Sequence, residues 1–203
     1  MRRPDFIARQ SGNPSGVLGR IIAWIMARET ADLNQRAVEL LRLQPTDHVL
    51  EIGFGHGRTV QRIAAAVPDG RVAGVDVSAS MTRVAIRRNR TAIADDRVDL
   101  ETGDAAALPF EDARFDKALS VHTIYFWNDP GACLREIRRV LRPGAIFVLG
   151  FTRKGSPRAQ SFPTEVYRFY EDDELRQLLI DARFSFDELV PAGAAWLALA
   201  RAS

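Results

Sequence analysis

"VLEIGFGHGRT", residues 49–59, sets three glycines on alternating positions directly behind a short apolar run that carries one carboxylate. The run reads as a buried strand, and the glycines behind it read as a strand-to-helix turn whose backbone N–H groups approach a ligand with no Cβ in the way. The nicotinamide fingerprint G-x-G-x-x-G would take Gly53 and Gly55 but needs a third glycine at position 58. Arg58 stands there, and the third glycine comes one place early at Gly57. The turn alone leaves two readings open: a nucleotide-like ligand, or a tight turn that serves close helix packing.

On either side of this turn the chain alternates between two textures. Apolar runs rich in β-formers at 48–53, 71–76, 97–103, 115–121 and 145–151 are separated by helix-like segments at 57–67, 78–93 and 129–141. Such alternation predicts a parallel sheet with helices on both faces. Ser78 or Ser80 is placed to cap the second helix, Asp129 followed by Pro130 opens the third, and "RPG" at 142–144 ends it. The pattern then changes. Residues 171–184 read as a last helix with an acidic start, and 184–190 and 194–202 read as strands joined by "PAGA", a turn short enough only for an antiparallel pair. The expected fold is α/β: a doubly wound, mixed seven-stranded sheet with an antiparallel C-terminal hairpin.

Composition sets outer limits. With 203 residues and 46% hydrophobic content, the chain suits one domain with a full core. The N-terminal residues lack the apolar centre of a secretory signal and no stretch is long enough to span a bilayer, so a cytoplasmic location without stable membrane insertion is expected. Cys133 is the single cysteine, and His48, His56 and His122 are scattered without metal-ligand spacing. The net charge is +2, carried almost wholly by arginine, since Lys117 and Lys154 are the only lysines. Arginine clusters at 82–90 and 135–143 carry no interleaved aromatics, so they read as solvated helix faces and not as a nucleic-acid footprint.

Five motifs in order now bear on the glycine turn: Glu51 before it, Asp76 ending "VAGVD", "TGDAAALPF" after the third strand, "FDKALSVHTIYFW" as the fourth, and "LREIRRVLRPGAIFVLG" running into the fifth. Together they resemble the class I S-adenosylmethionine-dependent methyltransferases, in particular small bacterial enzymes that act on small molecules or lipids, and the resemblance runs from about Leu33 to the C-terminus. It implies S-adenosyl-L-methionine as cofactor and a Rossmann-like sheet. The methionyl end would lie over Gly53, Phe54, Gly55 and Gly57, with Glu51 acting on the ammonium directly or through water. Asp76 would accept the ribose hydroxyls, Asp104, beside Gly103, the adenine amino group, and Val77, Met81 and Ala105 would cover the ring. Ser120 and Val121 would offer carbonyls near the ammonium.

Methyl transfer from a sulfonium is an in-line displacement with a good leaving group, so catalysis rests largely on positioning, and a base is needed only where the acceptor starts protonated. The candidates are His122, to orient or deprotonate a hydroxyl, and Tyr125, which with Phe126 and Trp127 would line an apolar or cationic pocket. The bland alternative makes His122 a backbone-bonded histidine and the aromatics core. Residues 15–29 show apolar positions at helical spacing and read as an added N-terminal helix, packed on the sheet, closing over substrate or touching a membrane surface. Residues 1–32 are thus expected to form a cap on a 33–203 cofactor-binding core. The long connection at 152–170 also bears on substrate choice. A monomer or homodimer acting on a small-molecule or lipid-like acceptor is expected, with a NAD-dependent oxidoreductase and a non-catalytic S-adenosylmethionine binder as the alternatives.

Overall fold

In the computed structural model, residues 30–203 are described. Seven strands form one sheet: β1 (His48–Ile52), β2 (Arg71–Asp76), β3 (Val98–Thr102), β4 (Phe115–Val121), β5 (Leu141–Phe151), β6 (Phe184–Ala192) and β7 (Ala195–Ala202). They lie in the order β3-β2-β1-β4-β5-β7-β6. The first five run parallel, and β7 enters antiparallel between β5 and β6. This is the expected mixed Rossmann-like sheet with its terminal hairpin, whose two-residue turn falls at Gly193 and Ala194 because Ala192 pairs with Ala195.

The helices are α1 (Ala31–Leu41), α2 (Arg58–Ala66), α3 (Ala79–Arg88), α4 (Arg90–Ala94), α5 (Pro130–Val140) and α6 (Asp172–Asp181). Alternation along the strands divides their side chains between two cores. Val49 packs with Leu33, Ala37 and Leu41 of α1 and with Val60 and Ile63 of α2, while Leu50 and Ile52 pack with Leu134 and Ile137 of α5 and Leu175 of α6. Both faces of the sheet are covered, so the carboxyl ends of the parallel strands are where a ligand site can form.

Start signals read from the residues hold. Ser78 Oγ accepts from the Met81 N–H, and Asp129 Oδ1 accepts from the Ala132 N–H at 2.9 Å. A capping box of Glu171 and Glu174 opens α6.

Three local expectations change. The helix over 78–93 is two helices, because the Asn89 amide takes the Ala85 carbonyl at 2.9 Å and the Gly57 carbonyl at 3.0 Å, ending α3 and pinning it to the glycine turn. β5 starts at Leu141 and not at 145: Phe115 pairs with Leu141 but Lys117 with Ile146, so Arg142, Pro143 and Gly144 form a bulge inside the strand. α1 was not assigned from the residues at all. The expected N-terminal helix at 15–29 lies outside the described residues. Among those described, no helix is long and apolar enough to cross a membrane.

Candidate functional site

The glycine turn sits where β1 ends between β2 and β4, and hydrogen bonds from both neighbours fix it. The Gly53 N–H donates to the Val75 carbonyl at 2.7 Å, extending the sheet into the turn. Asp76 then takes over. Its Oδ2 accepts the Gly55 N–H at 2.7 Å and its Oδ1 accepts the Ser78 N–H at 2.8 Å, so one buried carboxylate ties the turn to the start of α3. The glycines are required here for different reasons. A Cβ on Gly53, at φ +74°, would meet Thr123 Cγ2 at 2.2 Å, and one on Gly57, at φ +73°, would meet Ala85 Cβ and Asn89 Nδ2 at 2.7 Å. Gly55, at φ +52°, has open space where its Cβ would stand. The outer two glycines serve close packing, and the middle one leaves the turn open.

Glu51 lies directly under this turn and is buried. It receives a backbone N–H from Val60 in the first turn of α2, yet its Oε2 has no hydrogen-bond partner. Burial, with the Asp76 carboxylate nearby as a second cause, pushes the Glu51 carboxyl up to about 8. Burial likewise raises Asp76, against the two N–H groups that favour its charge. Two carboxylates and an unpartnered oxygen below an open glycine turn make a site short of one cation. An ammonium with two hydroxyls nearby matches that need, so the residues fit the methionyl and ribose parts of S-adenosylmethionine.

The remaining expected contacts divide. Val77 is exposed, Met81 and Ala105 are buried, and the Gly103 N–H donates to the Asp76 carbonyl at 3.1 Å, which brings the β3 end beside the β2 end. Asp104 is exposed, and its Oδ1 caps its own turn by accepting the Ala106 N–H at 2.9 Å. The Phe54 side chain turns away from the open side into the core, where its ring would crowd a Cβ on Gly74 at 2.6 Å, so only its backbone is available to a ligand. Ser120 is fully buried; its hydroxyl donates to the Ile52 carbonyl at 3.1 Å and meets the Thr123 hydroxyl, joining β4 to β1. Val121 packs over Gly150.

Beyond β4 the chain turns sharply at His122, held at φ +60° with its N–H on the Gly150 carbonyl at 2.8 Å. That conformation is costly for a residue with a Cβ. Its Nδ1 lies 2.8 Å from the Tyr125 hydroxyl, and the buried Thr152 N–H donates to the same hydroxyl from the end of β5. Burial depresses the His122 pKa to about 4 and raises that of Tyr125. Around Tyr125 stand Phe126 from the following 3-10 turn and Phe162, Tyr167 and Phe169 from the 152–170 connection, with ring centroids between 4.6 and 6.1 Å apart. The long connection therefore folds back onto the segment after β4, its end fixed by an Arg153–Tyr170 bridge.

His56, though inside the glycine turn, points at backbone: its Nδ1 accepts the Arg58 N–H at 3.4 Å, and burial depresses it to about 4. Thr123, Thr152 and Asn89 were not singled out from the residues. Each acts through a contact distant in sequence that no local pattern carries.

Comparison with known proteins fits this geometry. Residues 50–149 match the family described as a methyltransferase domain. The chain is 34% identical over 124 residues to the uncharacterized methyltransferase YdaC of Bacillus subtilis, an alignment covering 61% of this chain and 66% of that protein. It is 36% identical over 121 residues to 27-O-demethylrifamycin SV methyltransferase of Amycolatopsis mediterranei, covering 60% and 44%. A crystal structure of a SAM-dependent methyltransferase from Aquifex aeolicus superposes with a TM-score of 0.73 at 18% identity over 100% of each chain. The chain spans less than two thirds of the length of the first curated relatives it matches.

Proposed function

As the chain belongs to the class I S-adenosylmethionine-dependent methyltransferases, we propose that it transfers the sulfonium methyl group of S-adenosyl-L-methionine to a small organic acceptor. The observation that carries this reading is the unpartnered Oε2 of buried Glu51, beside Asp76 and under the open turn at Gly55. In this reading Glu51 pairs the methionyl ammonium, Asp76 keeps its two N–H partners while its remaining lone pairs accept the ribose hydroxyls, and Ala105 and Val77 flank the adenine. Asp104 reaches the adenine amino group with the oxygen its turn leaves unused.

Bound cofactor supplies an electrophilic methyl group; the chain supplies position. Thr123, which follows His122, packs against Gly53 of the glycine turn, and Tyr125 with the aromatic residues of the 152–170 connection continues from that segment. A small acceptor is supported by the curated relative named for demethylrifamycin and by this aromatic surround, which suits an apolar body. The proposed organisation is a cofactor-binding core over residues 33–203 with residues 1–32 as an N-terminal lid or cap, in a monomer or homodimer. The nicotinamide reading loses ground at Arg58, which occupies the position its third glycine needs.

The test is incubation of the purified chain with methyl-labelled S-adenosylmethionine and a panel of phenolic, quinol and carboxylic acceptors, followed by extraction of labelled product. Label in an acceptor and stoichiometric S-adenosylhomocysteine support the proposal. Tight cofactor binding with no transfer to any acceptor favours the non-catalytic binder.

A further inference from the structure

The hydrogen-bond chain behind His122 determines which of its nitrogens carries the proton. Tyr125 has one hydroxyl proton to give. Its oxygen receives the Thr152 backbone N–H, a group that cannot accept a proton. Tyr125 is buried, so its hydroxyl proton needs an acceptor among its neighbours. With the Thr152 N–H donating, the Tyr125 proton goes to the other hydrogen-bonded neighbour, His122 Nδ1, at 2.8 Å. Nδ1 is then an acceptor, and the neutral ring carries its hydrogen on Nε2. That nitrogen has no hydrogen-bond partner among the described residues and is not sealed in the interior.

We propose that His122 is a fixed Nε2–H donor that binds and orients an oxygen of the methyl acceptor, so that the enzyme selects apolar molecules bearing a carbonyl, enolate or carboxylate group. Tyr125 and Thr152 are positioning residues that hold the tautomer. The strained φ of +60° at His122 fits this role, because it holds the ring within reach of the Tyr125 hydroxyl. A base at this position would need an Nε2 lone pair, and the Tyr125 proton on Nδ1 denies it one. Phe126 and Phe169, both half-buried beside Tyr125, suit the apolar part. The substrate class rests on the proposed methyl transfer. The tautomer does not.

The experiment uses the full chain with 15N-labelled histidine, saturated with S-adenosylhomocysteine at pH 7. Long-range proton–nitrogen correlation reads the tautomer, and titration with decanoate or decyltrimethylammonium reads ligand preference. The expected His122 pattern is a protonated Nε2 with an acceptor Nδ1, changing to a tautomer mixture in Tyr125→Phe. Decanoate shifts the Nε2–H resonance, and its affinity falls about tenfold or more in His122→Leu but stays within about threefold in His122→Gln, whose side-chain amide retains an N–H near the same position. Protonation at Nδ1, preference for the cationic probe, absence of decanoate binding, or undiminished affinity in a folded His122→Leu overturns the proposal. The first titration separates the two readings: failure to bind S-adenosylhomocysteine overturns the methyltransferase reading while leaving the tautomer result to stand or fall alone.

Discussion

Asp76 Oδ2 accepts the Gly55 N–H at 2.7 Å, which makes a side chain from β2 the anchor of a turn that follows β1. The other oxygen holds Ser78 at the start of α3 at 2.8 Å, so the carboxylate itself shapes the cradle. Asp76→Asn keeps the size but places an amide NH2 against one of the two N–H groups. We expect the variant to fold with a loss of about 1–3 kcal/mol in the absence of ligand, read by denaturant unfolding. Unchanged stability would show that the two contacts do not hold the turn.

Glu51 gives a pH dependence with a definite sign. Its carboxyl sits near 8 against an ordinary 4.5, so the stability contributed by its protonated form is full below about 4.5 and is lost as pH rises through about 8. Pairing with a ligand ammonium requires the ionised form, so binding releases a proton over that window. Affinity for S-adenosylhomocysteine should therefore climb between about pH 5 and 8, with a calorimetric heat that varies with the ionisation enthalpy of the buffer. Glu51→Gln should weaken binding, flatten the climb, and raise the stability of the ligand-free protein above pH 8. A wild-type affinity independent of pH across the window would remove Glu51 from the site.

Gly53 tests the closeness of the β1 and β4 ends. Its Cβ would stand 2.2 Å from Thr123 Cγ2, with φ at +74°. Gly53→Ala should cost at least about 1–3 kcal/mol and also disturb the turn that faces the ligand. Thermal unfolding with and without S-adenosylhomocysteine separates the two effects. A variant with wild-type melting temperature and ligand-induced shift would contradict the contact.

Two tyrosines offer an internal control. The Tyr125 hydroxyl accepts from buried Thr152, whereas the Tyr170 hydroxyl is buried without a partner among the described residues. Tyr125→Phe should lose about 1–3 kcal/mol by stranding the Thr152 N–H, and Tyr170→Phe should stay within about 0.5 kcal/mol of the parent or gain. Equal losses in chemical denaturation would refute the assignment.

The strands and most helices were legible because period and punctuation carried them. Val49, Glu51 and the glycines mark β1 and its turn, Asp129 and Pro130 mark α5, and the Gly193 turn marks the hairpin. α1 escaped because its three buried positions, Leu33, Ala37 and Leu41, recur in an otherwise polar stretch without a capping side chain at Thr30. The break after Arg88 escaped because Asn89 ends α3 through a carbonyl at Gly57, 32 residues away. At the site, acids at strand ends were readable by position. Their states were not: the bareness of Glu51 Oε2, the inward turn of Phe54 and the relay from Thr152 through Tyr125 to His122 depend on packing between elements distant in sequence.

Calorimetric titration of the chain with S-adenosylhomocysteine, in parallel with Asp76→Ala and with NADH as the competing ligand, bears most directly on the central claim that the turn at Gly53–Gly57 with Glu51 and Asp76 is an S-adenosylmethionine cradle. The account predicts one site per chain for S-adenosylhomocysteine, an affinity loss of about tenfold or more in Asp76→Ala from the missing charged acceptor, and no heat with NADH. Binding of NADH by a folded protein that ignores S-adenosylhomocysteine, or an affinity for S-adenosylhomocysteine untouched by Asp76→Ala, would contradict it.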